Sequence, residues 1–206
     1  MNFKALAIAI LAAGSSTLGF AKSAESTGTV TVCLADPTLD ITIDQAKMTV
    51  SAMFRKADVN VVWRHSAADC RKPGAQGIVI DLLTHAPQDA PQLAMARAYA
   101  YEGVHIQIFR NRVSHPEGGL NTPLFAHVIV HEITHILQGV ARHSETGIMK
   151  ATWTRDDFMR MQTTPLAFSA DDIEMIHLGM LRRSADGPAT ALLARNITTP
   201  EAAETR

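Results

Sequence analysis

The chain has 206 residues, with 19 Lys and Arg set against 20 Asp and Glu for a formal net charge of −1. That balance, with no basic stripe, argues against nucleic acid as a partner. A 47% hydrophobic content over this length suits one domain with its own core.

Residues 1–21, MNFKALAIAILAAGSSTLGFA, read as a signal peptide: a basic start at Lys4, an apolar run, then small residues, with cleavage expected after Ala21. The apolar run falls short of the roughly 20 residues of a membrane span, so no permanent membrane anchor is expected and the protein is read as secreted or periplasmic. In such a compartment the two cysteines, Cys33 and Cys70, are expected to form a disulfide.

TVTVCLA (29–35) alternates and is β-branched, which predicts a strand. Apolar residues recur at near-helical spacing over 40–57, so a helix is expected there. VNVVWRH (59–65) predicts a second strand, 66–76 a loop, and GIVIDLL (77–83) a third strand. After a proline-broken loop at 85–92, two strands are expected at 93–100 and 104–113, joined as a hairpin. The main helix follows, capped by Asn121 or Thr122, with Pro123 in its first turn and Gly139 at its stop. Segments 154–161 and 169–183 each open with a hydroxyl cap and an acidic first turn, and the second ends in arginines, as the helix dipole favours. One domain is expected over 22–183, and 184–206 reads as a loose tail.

The main helix carries the chemistry. Residues four apart lie one above the other on a helix, so His131 and His135 can aim two ring nitrogens at one point. Glu132 sits about 100° around and flanks that point. Behind them, Phe125, Ile129, Ile133, Ile136 and Leu137 form the apolar arc. This is the HExxH arrangement: two zinc ligands and a carboxylate able to take a proton from water. A catalytic zinc takes three protein ligands and keeps a fourth position open. His127, His143, Glu145 and Glu174 are candidates for the third. His127 would extend a straight row of three, which cannot wrap a tetrahedral ion. His143 follows Gly139, where the chain can turn back, and it is favoured on ligand type and geometry. A free Cys33 blocking this metal in a latent form is the alternative to the disulfide.

HEITHILQGVARH followed by HSETGIM resembles the HExxHxxGxxH signature and methionine turn of the metzincins, and within them most the matrixins. Gly139 and His143 lie one and two residues later than in that pattern, and the loop to Met149 is shorter. LAMARAYA and VHIQIF, ahead of the helix, are similar to the edge strand and next strand of a matrixin catalytic domain. The resemblance covers 93–153. It implies an α+β fold: a small mixed sheet whose edge strand lies over a zinc-binding helix, with C-terminal helices after it. It also implies an exported zinc endopeptidase with His131, His135 and His143 as ligands, Glu132 as general base and Met149 as the Met-turn residue. A peptide or protein substrate would pair along Ala96, Arg97 and Ala98. Tyr99, Tyr101 and His115 are candidates to assist the oxyanion, though each reads first as a surface or packing residue, and Trp153 reads as core. Peptide deformylases share a similar helix but set an upstream cysteine in Glu-Gly-Cys, which AADCRKPG around Cys70 does not match. The non-catalytic alternative is an inactive metzincin-like module that binds zinc or peptide.

Overall fold

The computed structural model describes residues 28–34, 40–72 and 76–185. The expected signal peptide and the tail from 186 onward lie outside these residues. Five strands, β1 (Gly28–Leu34), β2 (Val59–Arg64), β3 (Ile78–Leu83), β4 (Ala96–Ala98) and β5 (His105–Phe109), form one sheet in the order β2-β1-β3-β5-β4. All neighbours are parallel except β4, which runs antiparallel to β5 at the sheet's edge. The helices are α1 (Ile41–Arg55), α2 (Ala67–Cys70), α3 (Thr122–Gln138), α4 (Arg155–Met161) and α5 (Ala170–Ala185). The fold is thus a mixed α/β arrangement with a small, mostly parallel sheet.

The two-residue period of β1 assigns its faces. Val30, Val32 and Leu34 join the main core with Ile43, Ala46, Val50, Met53 and Phe54 of α1 and the apolar side of α3. Thr29, Thr31 and Cys33 point the other way. There Cys33 is bonded to Cys70, at the end of α2, with a Cα–Cα distance of 6.0 Å. Val79 and Ala67 pack around this pair in a second, smaller cluster. The bond excludes a free Cys33 as a blocking ligand.

Capping chemistry sets the helix ends. The side chain of Asp40 accepts from the Thr42 amide, and Asn121 Oδ1 accepts from the Leu124 amide at 3.2 Å. Gly139 closes α3 in the left-handed conformation, with φ of 68°. Thr154 and Asp157 form a reciprocal capping box on α4. Where α5 crosses α3, a Cβ on Gly179 would lie 1.6 Å from the Leu137 carbonyl oxygen, so only glycine permits that approach.

Three expectations are corrected. The strand expected at 93–100 is confined to Ala96–Ala98, because the chain before it is a turn: the Ala94 amide bonds the Pro91 carbonyl at 3.1 Å, and the Arg112 guanidinium donates to the carbonyls of both Pro91 and Ala94. The strand expected at 104–113 ends at Phe109 and passes into a 3-10 turn, Arg110–Arg112. The loop expected at 66–76 contains α2, whose N-cap Ser66 accepts from the Ala68 amide at 3.2 Å. In addition, α5 runs to Ala185, two residues into the expected tail.

The disulfide closes a loop of sequence separation 37. By the chain-entropy relation a loop of that size is worth about 4 kcal/mol. Reduction, or the pair Cys33→Ala and Cys70→Ala, should therefore lower the melting midpoint by roughly 10 °C, which calorimetry with and without reductant would measure. An unchanged midpoint would show that the bond constrains nothing.

Candidate metal centre

Helix α3 is buried along nearly its whole length. His131 and His135, one turn apart, have ring centroids 4.7 Å apart. The rings owe their orientation to the main chain. His131 Nδ1 lies 2.9 Å from the Ile148 carbonyl and His135 Nδ1 lies 3.1 Å from the Val140 carbonyl. A carbonyl only accepts, so both Nδ1 atoms carry the proton. Each Nε2 is then a bare lone pair, and the two Nε2 atoms stand 3.1 Å apart. Two acceptors at that distance repel unless a cation lies between them.

His143 completes the group. The chain leaves α3 at Gly139 and turns back, and the His143 ring comes to 5.3 Å from that of His131 and 4.9 Å from that of His135. The segment 140–143 thus absorbs the two residues by which His143 lags the metzincin spacing. One ligand atom from each of the three imidazoles lies within 4.8 Å of the others. Among the described residues no other group of His, Cys, Asp or Glu meets that condition. Burial lowers the pKa of all three rings, that of His131 to about 4, so each is neutral at pH 7 and able to ligate. Two of the histidines are buried and His143 is exposed, which leaves the cluster open on one side. The donor set fits zinc: three neutral imidazole nitrogens with a free approach.

The other candidates for third ligand stand elsewhere. His127 is fully committed, with Nδ1 donating to the Pro123 carbonyl at 2.6 Å and Nε2 accepting from the Leu166 amide at 3.0 Å. Glu145 and Glu174 are exposed and outside the cluster.

Glu132 is buried beside the imidazoles. Burial pushes its pKa up to about 8, while a hydrogen bond from the Ala98 main chain pulls it down. That contact ties the carboxylate to the edge strand. In the β4–β5 ladder the Tyr99 amide bonds the His105 carbonyl and the Phe109 amide bonds the Met95 carbonyl, both at 2.9 Å. The main-chain groups of Met95, Arg97 and Tyr99 therefore face β5, and those of Ala96 and Ala98 face outward. Arg97 is thus excluded from main-chain pairing with a new strand, and its side chain bonds Asp89 at 3.1 Å. Tyr99 stacks on His105 and donates to Gln107 Oε1 at 3.3 Å, on the sheet face away from α3. Tyr101 and His115 are exposed.

The segment after His143 braces the cluster. The Ser144 amide bonds the Met149 carbonyl at 2.8 Å, closing a tight loop, and Ile148 and Met149 are fully buried. Gly147 has φ of 73°, and a Cβ there would lie 2.2 Å from the Ala167 carbonyl oxygen. Trp153 packs edge-on against His131 at 5.6 Å and donates to the Ile148 carbonyl at 3.2 Å, a structural placement.

Asp172, read from the sequence only as part of an acidic first turn, holds the His143 segment. Fully buried on α5, it accepts from Ser144 Oγ at 2.6 Å, from Arg142 Nη1 at 3.2 Å and from Ser169 Oγ at 2.7 Å. Burial raises its pKa, but these donors outweigh it and hold the carboxyl below its ordinary value. Both neighbours of His143 are thereby fixed to α5. The Ser169-x-x-Asp172 spacing announces a capping box, but nothing in it announces the contact with 142 and 144.

No family model matches the chain, and no curated protein matches it in sequence. Among solved structures it is similar to an archaemetzincin from Methanopyrus kandleri at 15% identity, with a TM-score of 0.44, covering 79% of this chain and 99% of that one.

Metal analysis should separate the histidines. His131→Ala, His135→Ala and His143→Ala should each lose bound zinc, while His127→Ala and Glu174→Ala keep it. Asp172→Asn should weaken zinc binding by about 10- to 100-fold, the usual effect of removing a group that orients a ligand. Retention of zinc by His143→Ala would refute the third-ligand assignment.

Farther along, Asp157 pairs with Lys150 and accepts from Thr154. Burial works against the carboxylate, yet Lys150 and Thr154 outweigh it and hold its pKa to about 2. A folded-state value below the unfolded value of about 3.9 gives stability that is present above pH 4 and lost as pH falls toward 2. Asp157→Asn should lower the melting midpoint at pH 6 and flatten its fall between pH 4 and 2. A parallel pH profile would contradict this.

Proposed function

We propose that this chain is an exported zinc endopeptidase of the metzincin kind, matrixin-like in its helix and methionine turn, acting on extended peptide or protein substrates. The observation that carries the reading is the convergence of three neutral imidazoles, two of them locked by main-chain carbonyls so that bare nitrogens face each other. A buried carboxylate beside them supports it. The disulfide supports an oxidising compartment, and among the described residues no helix is long and apolar enough to cross a membrane.

His131, His135 and His143 would hold the zinc, leaving one side of the cluster open. When bound there, zinc supplies a Lewis acid that polarises a carbonyl and makes water more acidic.

The chain's own residues do the rest. The outward N–H and C=O groups of Ala96, and the carbonyl of Ala98, offer an extended peptide an added strand at the sheet edge. The Ala98 contact holds the Glu132 carboxylate to that strand, on the helix that carries His131 and His135. Glu132 takes a proton from the attacking water and delivers it to the departing amine. Burial holds its proton affinity high, and a cation at the histidines acts with Ala98 in the opposite sense, bringing the carboxyl toward a working value.

Glu132→Gln tests this. It keeps size and removes the base, so turnover of a cleavable peptide should fall by at least about 10²- to 10⁴-fold. Zinc content and melting midpoint should remain those of the parent. Equal turnover would exclude Glu132 as base. If neither protein cleaves a broad peptide library while both hold zinc, the inactive-module reading takes over.

A further inference from the structure

A second site lies away from the three histidines. A cavity of about 530 Å³ opens between β1, the end of β2, the stretch after α2 and the last turns of α5. Its polar lining includes Thr29, Thr31, Arg64, Lys72 and Arg183, against Asp69 as the one carboxylate among the described residues. The cavity belongs to the opposite end of α5 from Asp172: eleven residues of helix separate Asp172 from Arg183, about 16 Å.

The three cations differ in how they are answered. Lys72 is paired with Asp69 at 2.7 Å. Arg64 makes no ion pair among the described residues; its field reaches Asp69 only at longer range. Arg183 is the informative one. It donates to the Gly103 carbonyl at 2.6 Å and to the Gln76 carbonyl, which fix the plane of the guanidinium but bring no formal negative charge. Burial lowers its pKa, and among the described residues no acidic side chain opposes that effect. A half-buried guanidinium held on neutral carbonyl acceptors at the wall of a cavity is placed to take an anionic partner. Fixed arginines match the forked oxygens of phosphate, sulfate and carboxylate, and the threonine hydroxyls add donors suited to the same groups. The volume falls within the range of small-molecule pockets and exceeds the needs of a bare ion.

We propose that this cavity binds a small organic molecule through an oxyanion group, with Arg64 and Arg183 as its charged anchors and Lys72 at the rim. The site is independent of the peptidase reading, since none of its residues belongs to the histidine cluster or to the edge strand.

Calorimetric titration of the purified protein with inorganic phosphate, inorganic sulfate and succinate, in chloride buffer, tests the proposal and ranks the three chemistries. At least one should bind saturably at one site per chain. The double variant Arg64→Glu, Lys72→Glu should bind at least about tenfold more weakly, as loss of charge-assisted contacts requires. The control Lys56→Glu, Arg155→Glu, which changes the net charge equally at exposed positions elsewhere, should bind as the parent does. If none of the three anions binds saturably, or if both double variants weaken binding equally, the site does not exist. Should the first double variant fail to fold by its melting curve, Arg64→Gln and Lys72→Gln alone should each weaken binding by about threefold or more, and parental affinity in both would overturn the proposal.

Discussion

Two ring nitrogens, His131 Nε2 and His135 Nε2, face each other at 3.1 Å, and neither can donate. The Ile148 and Val140 carbonyls have already claimed the proton of each ring. Were the rings free to turn, one would flip or take a second proton and the repulsion would vanish. Here the main chain removes that freedom and burial opposes the extra proton. A cation between the rings would resolve the arrangement, and the third imidazole lies within reach of the same point.

The rest of the domain can be understood as holding those carbonyls and that third ring in place. Ile148 belongs to the tight loop closed by Ser144 and Met149, and that loop is anchored to 167 through the Ile148 amide at 2.9 Å. Asp172 ties Arg142 and Ser144 to α5, and α5 is seated on α3 through the close approach that Gly179 permits. One helix carries two histidines, a second helix steadies the third, and the sheet edge supplies the contact to Glu132. Loss of any of these would free a ring or carboxylate that the fold now holds in one orientation.

Much of this was legible in the sequence. The alternation in 29–34, the helical period of 41–55, the cap at Asn121 and the stop at Gly139 are local signals, and local structure follows them. The four-residue spacing of His131 and His135 is itself a geometric statement, as is the turn-back that Gly139 allows to His143. What escaped are contacts with no period. The tie from Asp172 to Ser144 spans 28 residues, and the link from Ala98 to Glu132 joins a strand to a helix. The short β4 escaped because Arg112 pins the turn at Pro91 through bonds spanning 21 and 18 residues, and this overrides β propensity at 93–95. The helix α2 escaped because a four-residue segment is too short to show a period, although Ser66 was in place to cap it.

The central claim is that these three imidazoles form an open metal centre with Glu132 outside it. X-ray absorption at the zinc edge, on protein purified without added chelator, tests it most directly. The account predicts three imidazole nitrogens at about 2.0–2.1 Å with one further light atom, unchanged in Glu132→Gln. A first shell containing the Glu132 carboxylate, a closed set of four protein ligands, or a signal that survives His131→Ala unaltered would contradict it.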